Sequence, residues 1–591
     1  MISTYDLMAI IFYFVFMIGL GVVFNRQVSD TSEYFRGGGK MLWWMTGASA
    51  FMTTFSAWTF TGAAGKAYTD GLSVVFIFFF NVFGYLICGL YFAPKFRQMR
   101  VITPMQALRQ RFGKGTEQVH TWVVTLTGLL GAAITLIAVA VFISAVIGWS
   151  LNTTIIVTGV AVVFMSVMGG SWAVVASDFI QCLLILGVSL VTFIYSYQNS
   201  DGFLSVIENF PAESFVMGNG INFTEIFLLW VAAILIQRVL DMNNIGQAVR
   251  FLCVKDSAHA KKSAYFAAVL FGFGSIIWFF PPMFAALEYP DLQALYPTLG
   301  NTSDSAAYLV IVEKMLPSGM LGLVVAAMFS ATMSTLDSRI NFISGTFVKN
   351  FYQPVLKPDA SEKEQLMVGR IATGVMGMMV IGFALFFSQL EGFSLFQIMI
   401  MFAGIVNLPL MIPQMMGLFI RKVPDWAGWA TVLFGLVVSL IANSWLNAAW
   451  FAEALGVTFT SRETADLAVV ITQLAHVTLT VGFFLLSGLF YKEPVGERKA
   501  EIETFFRNVG TPVVSGAGAC ASDNMQRRKL GILSMIFGAA VCALALLPNE
   551  RSVMAFILCG GFMLLIGVLL YRSSNMPVED TSGSENDLSV A

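Results

Sequence analysis

The chain has 591 residues, of which 57% are hydrophobic and only 12% charged, about half the charged share of a water-soluble domain. Its 33 basic and 35 acidic residues nearly cancel, and the basic ones sit in short loops, which leaves no basic surface for nucleic acid. Six singly spaced cysteines without a C-x-x-C pair, and three histidines, argue against a disulfide framework, a zinc site or a haem site.

Apolar runs recur from end to end and predict an all-α polytopic membrane protein with about fifteen helices. In chain order they fall near 4–23, 41–66, 72–94, 119–148, 151–169, 172–197, 224–249, 263–288, 318–348, 368–389, 393–420, 425–447, 467–491, 530–547 and 551–571. The first lacks a basic leader and a small-residue cleavage site, so it reads as a retained helix. With the N-terminus outside, the expected inner segments hold 27 of the 33 basic residues, which also puts the C-terminus inside. The expected organisation is 1–40 as a first peripheral helix and inner loop, 41–197 as one five-helix repeat, 198–223 as an outer loop and 224–421 as a second repeat. Peripheral helices at 422–491, an inner linker at 492–529, further helices at 530–572 and a disordered tail at 573–591 follow.

An odd number of spans per half inverts one half relative to the other. Each half opens on a span interrupted by polar residues, "GASAFMTTFSAWTFTGAAG" at 47–65 and "QRVLDMNNIGQ" at 237–247, the pattern of a transporter with paired broken helices. The segment "MFSATMSTLDSRINFISG" at 328–345 is equally unusual. Ala331, Ser334, Thr335 and Ser338 recur at i, i+3, i+4 and i+7 and share one helix face. A hard alkali cation takes oxygen ligands, and two hydroxyls one turn from a carbonyl make part of such a shell. Carbonyls freed where another helix unwinds can supply the rest. The bland alternative is that these hydroxyls bond back to their own backbone. Asp178 and Asp337, both within spans, need partners, and Arg339 beside Asp337 is the ordinary one.

The stretches 34–71, 167–181, 330–352 and 417–428 resemble the sodium:solute symporter family, in the right order and spacing over roughly 5–430. This resemblance implies a LeuT-type 5+5 inverted repeat, with one helix before it and about four after it. It implies no enzyme but a sodium-coupled secondary symporter in the cell membrane, moving a small polar solute by alternating access. Its Na+ site falls on carbonyls of Met52, Phe55 and Ala331 and hydroxyls of Ser334 and Thr335. A candidate second Na+ site falls on Asp178, Ser334, Asp337 and Ser338, where Asp337 replaces a hydroxyl. Substrate in this fold binds beside the breaks, which points to Thr54, Ser56 and Thr59, to Phe78 and Asn81, and to Gln237, Asp241 and Asn244.

Hydroxyl and amide groups suit a sugar or sugar acid. The helix at 119–148 lacks the arginine that sialic-acid members use, and Ile400 stands where galactose members have glutamine. Lys66, Arg238 and Arg339 are the cations within or beside the spans; Lys66 is expected to snorkel outward and Arg238 to pair with Asp241. The expected partners are sodium, a small polar solute and the bilayer, with no nucleic acid and a monomer as the working unit. A proton-coupled, amino-acid or carboxylate carrier of the same fold and a non-transporting sensor are the competing readings.

Overall fold

The computed structural model describes residues 3–25, 30–210, 223–389, 406–515, 521–549 and 551–575. Eleven of its helices are long and apolar enough to cross a membrane. Four expected spans fall outside that set for specific reasons. The span expected at 41–66 is broken into short pieces, and that at 224–249 into a helix of 19 residues carrying Glu225, Arg238 and Asp241 and a further piece of 8. Leu151–Val167 is apolar but short. Residues 393–405 of the span expected at 393–420, with Ile400, lie outside the described residues, and the described remainder holds the helix Leu408–Met416.

The elements that build the site are α1 (Thr4–Asn25), then the first broken helix, α2 (Trp43–Thr54) and α3 (Gly62–Asp70), and α4 (Leu72–Ile87). The long α5 (Pro104–Ile147) and α6 (Leu151–Gln198) follow. The second broken helix is α7 (Thr224–Met242) and α8 (Ile245–Leu252). Then come α9 (Ser257–Glu288), α10 (Met320–Phe347) and α11 (Glu362–Phe387). The two broken helices are joined by backbone: Met41 N–H donates to Cys253 O at 3.0 Å, and Lys255 N–H donates to Met41 O at 3.2 Å.

α6 consists of two straight pieces meeting at Gly170, whose φ of +52° is left-handed. A Cβ there would also lie 2.8 Å from Tyr34 O, so both backbone and packing demand glycine. The turn aims Asp178 and Gln181, about two and three turns later, into the bundle, where both are fully buried.

α10 is the polar helix of the sequence, and its most apolar stretch is buried throughout. It is wrapped by α1, α2, α5, α6 and α11. Protein on all sides removes the cost of its hydroxyls facing lipid. Asp6 of α1 fixes the start of this helix, accepting from Gly319 N–H at 2.9 Å and Gly322 N–H at 2.8 Å. A carboxylate at the exposed amides of a helix N-terminus is the favourable arrangement.

The expected inner linker contains a helix, α12 (Gly496–Gly510), which docks through the buried Phe505. Arg498 pairs with Asp425 at 2.7 Å and donates to the carbonyls of Arg109 and Gln110. Val513 and Ser257 bond each other twice. Gln526 accepts from Leu42 N–H and donates to Lys40 O at the start of α2. The linker is thereby a strap bound to several core helices.

The last two spans, α13 (Ala521–Ala543) and α14 (Met554–Ser573), cross at four glycines. A Cβ at Gly531, Gly538, Gly560 or Gly567 would lie 2.5–2.8 Å from backbone of the opposite helix. Small residues at a crossing let backbones meet in lipid.

Candidate functional site

The first break follows from hydroxyls that compete with the helix ladder. α2 ends at Thr54, and Phe55 (φ −99°, ψ 134°) and Ser56 (φ −142°, ψ 171°) run extended. The carbonyls this frees are accounted for one by one. Tyr85 OH donates to Ala50 O at 2.7 Å, Thr54 Oγ1 to Phe51 O at 2.9 Å, and Phe55 N–H to Phe51 O and Met52 O. Phe55 O accepts from Thr335 Oγ1 of α10 at 3.1 Å.

Thr335 Oγ1 lies equally close, at 3.2 Å, to Ala331 O. One hydroxyl therefore sits between two carbonyls that the sequence pointed to as sodium ligands. Ser334, one residue earlier, has a buried hydroxyl that makes no close hydrogen bond among the described residues and faces the Asp178 carboxylate. Met52, Phe55, Ala331, Ser334 and Thr335 are all buried. A buried cluster of two carbonyls and two hydroxyls matches the oxygen preference of a hard monovalent cation. The loosely held hydroxyl of Ser334 is free to turn toward a bound ion. Burial around the break comes from aromatics: Phe55 packs on Trp278, with ring centroids 4.5 Å apart, and on Phe51 and Phe60.

The candidate second sodium position is built differently from the sequence reading. Asp178, Asp337 and Ser338 are buried, and each meets a side chain from another helix. Arg250 of α8 reaches them: its Nη2 lies 3.8 Å from Asp178 Oδ2, it donates to Ser338 Oγ, and its Nε donates to Thr53 Oγ1 at 3.2 Å. Ser49 donates to the same carboxylate, and Asp337 accepts from Ser166 of α6, not from Arg339. Arg339 instead packs over Gly131 of α5. Arg250 escaped sequence reasoning because it counted among the basic residues of an expected inner segment. The signal was its place five residues after the start of α8, on a helix that dives into the bundle.

The residues expected to bind solute divide. Thr54 and Tyr85 lie 3.4 Å apart at the break. Asn81 is buried with an unpartnered Oδ1. Phe78 stacks on Trp58 at 6.0 Å and meets Phe279 edge-on at 4.7 Å. Thr59 is buried in the short turn after the break, and Ser56 is half-buried. Three others have structural roles or none visible. Helix α7 runs unbroken through Gln237, which is half-buried, and Asp241 pairs with Arg238 at 3.3 Å. The second break is confined to Asn243 and Asn244. Asn244 Oδ1 caps α8 by accepting from Gln247 N–H, and its Nδ2 donates to Asp241 O at 2.6 Å. Asn at an N-cap is the expected chemistry. The buried Asn243 anchors the break to α4 through Gly84 O and was not foreseen. Lys66 is exposed and pairs with Asp70 at 3.5 Å.

Two helices broken at corresponding places, with a buried oxygen pocket where one of them meets α10, define a LeuT-type ion-coupled transporter. A solved structure of a Na+-coupled sialic acid symporter, substrate-bound and outward-open, superposes with a TM-score of 0.67, covering 83% of this chain and 98% of that one at 19% identity. The sodium:solute symporter family model matches residues 34–435, and the chain belongs to that family. Relatives include the sodium/sialic acid symporter NanT of Aliivibrio fischeri, 24% identical over 76% of this chain and 88% of that protein. The sodium/myo-inositol cotransporter 2 of Sus scrofa is 26% identical over 74% and 69% of the two chains, and the sodium/glucose cotransporter 2 of Rattus norvegicus 25% identical over 74% and 71%. The protein is a multi-pass membrane symporter of sodium and a small solute, not an enzyme.

Proposed function

We propose that this symporter imports a polyhydroxylated solute, a sugar or sugar acid, together with sodium held by the carbonyls of Met52, Phe55 and Ala331 and the hydroxyls of Ser334 and Thr335. The carrying observation is the Thr335 hydroxyl lying 3.1 Å from Phe55 O and 3.2 Å from Ala331 O, beside the buried hydroxyl of Ser334. The ion bridges the broken helix to α10, so its arrival and departure bias the packing of one against the other. Solute lies beside the first break, against Thr54, Ser56, Thr59, Phe78 and Asn81. The relatives named for sialic acid, myo-inositol and glucose favour hydroxyl-rich solutes. The working topology has the N-terminus outside, the C-terminus inside, the repeats at 41–197 and 224–421, and a monomer as the unit.

One sodium entering down ~100 mV releases about 2.3 kcal/mol, and a tenfold concentration ratio adds about 1.4 kcal/mol. Together these support roughly several-hundred-fold accumulation of a neutral solute. The test is uptake into proteoliposomes across a panel of sugars, uronates and amino acids, with sodium replaced by choline. Uptake of a sugar or sugar acid that collapses in choline is expected. Uptake restricted to apolar amino acids refutes the substrate class, and uptake that persists in choline at an imposed proton gradient refutes sodium coupling.

A further inference from the structure

Where the strap meets the bundle, one charge is unbalanced. Arg111, near the start of α5, is 1% exposed. Its Nη2 donates to Ile420 O at 2.8 Å and to Arg421 O at 3.2 Å. Its Nε and Nη1 have no hydrogen-bond partner among the described residues, which leaves three N–H groups bare. A guanidinium is charged at any physiological pH, so the buried group carries a full positive charge as well as the idle donors. The rings of Phe112 and Phe506 lie 4.4 and 5.4 Å from it, and their faces attract a cation without offering a lone pair. The carboxylates nearby face other cations: Asp425 and Glu501 pair with Arg498, and Glu503 with Arg421. Against Arg111 lies a cavity of about 10 Å³. Leu108 of α5, Ile245 of α8, Leu418 and Phe505 of the strap helix α12 are among its walls. Gln414, whose amide is 3.1 Å from His120 Nδ1, is the other polar side chain on them.

We propose that this cavity is a binding site for one small monatomic anion, chloride under physiological conditions, held by Nε and Nη1 of Arg111. The chemistry selects that occupant. A buried charge is stable only when it is paired, and bare buried donors are costly until an acceptor meets them. A cation is excluded because the guanidinium donates and never accepts. The volume is that of about one water, too small for a carboxylate, a phosphate or a sugar acid. A water molecule fits and accepts hydrogen bonds but leaves the charge unbalanced, whereas a halide supplies both the lone pairs and the charge. Bound there, the anion joins α5 to the second broken helix through the wall at Ile245, and to the strap through Phe505. Occupancy and docking of α12 therefore support each other. The site shares no residue with the sodium pocket on α2 and α10, so it holds a resident ion beside the transport pathway and its occupancy does not depend on which solute is carried.

The test uses the purified full-length protein with bromide and chloride as probes. Crystals grown in sodium bromide should show an anomalous peak within hydrogen-bond reach of Arg111 Nε and Nη1. In detergent, the melting temperature should rise and then saturate as sodium gluconate is exchanged for sodium chloride at constant sodium and ionic strength. Ala107→Val narrows the cavity from its α5 wall while leaving Arg111 in place, and it should abolish this response. Arg111→Gln, which removes the charge, should abolish it as well. Density beside Arg111 without anomalous signal means that the cavity holds only water and overturns the proposal. Equal melting in gluconate and chloride also overturns it. A halide response that persists in a cooperatively melting Ala107→Val protein places the halide elsewhere, with the same consequence. If Arg111→Gln does not fold, the wild-type bromide peak and the Ala107→Val protein decide.

Discussion

Replacing Thr335 with valine keeps the branched shape of the side chain and deletes only its hydroxyl. In the folded protein this oxygen is buried, 3.1 Å from Phe55 O and 3.2 Å from Ala331 O, so no water can take its place at the ion. A buried interaction between a hydroxyl and a charged group contributes about 1.5–3 kcal/mol, and part of that is offset because the ion-free protein also loses its bond to Phe55 O. The floor of about 1.5 kcal/mol corresponds to roughly a tenfold rise in the sodium concentration for half-maximal uptake. The assay is initial uptake rate against sodium, with choline making up the ionic strength. The maximal rate at saturating sodium should change far less than the half-saturation point, because the missing oxygen weakens ion binding and not the solute pocket. Thr335→Ser should stay close to wild type. If the valine protein reaches half-maximal uptake at the wild-type sodium concentration, the hydroxyls of α10 are packing groups and the ion lies elsewhere.

Ser334→Ala should shift sodium dependence in the same direction, by about tenfold, with little change in thermal stability, since this hydroxyl makes no close hydrogen bond among the described residues. Asp178→Asn leaves Arg250 buried without its carboxylate and should cost about 3 kcal/mol of stability, read as a lower melting temperature in detergent; an unchanged melt would mean that the pair is not formed. Asn81→Ala should raise the KM for solute without lowering the melting temperature, whereas Asn244→Ala should do the reverse, losing about 1 kcal/mol with its helix cap. At the strap, burial pushes the Asp256 carboxyl up, but the His259 side chain, the Ser515 hydroxyl and the His259 amide outweigh it and hold the group below the ordinary carboxylate range. Its folded value lies below its unfolded one, so the stabilisation is complete above about pH 4 and is lost only as pH falls further. Protease cleavage near 511–526 should therefore not rise when pH is lowered from 8 to 5.

Much of this architecture is visible in the residues themselves because membrane spans and their interruptions are local properties. The polar interruption at 47–65 marks a real break, since Thr53 and Thr54 turn their hydroxyls back onto carbonyls of the preceding turn within a few residues of where the helix ends. The periodicity of Ala331, Ser334 and Thr335 holds because α10 is regular through all of them. What the residues did not reveal depends on partners far away in the chain. Arg250 looks like any loop cation until Asp178 and Ser338 are brought beside it. Asn244 offers an amide for solute or for a cap, and only the position of the break, at Asn243 and Asn244 and not from Gln237 onward, makes it a cap. The Gly-, Ser- and Pro-containing linker reads as slack because its anchors, Asp425, Ser257 and Lys40, each belong to a different region.

The glycine crossing of α13 and α14 bears on how the chain assembles. The two helices are neighbours in sequence, and closing the short loop between them costs little entropy compared with bringing Phe537 to Phe12 and Phe16 of α1. Their four glycines meet backbone to backbone, so the pair can zip together from its own surfaces before it finds the rest of the bundle. It then docks as a finished piece, with Cys559 seated against Gly187 of α6. A bulky residue at Gly538 or Gly560 wedges this piece open while leaving the ion pocket, far away on α2 and α10, chemically intact. Such a lesion surfaces as protein that quality control removes before it reaches its membrane, with each surviving molecule transporting at a normal rate.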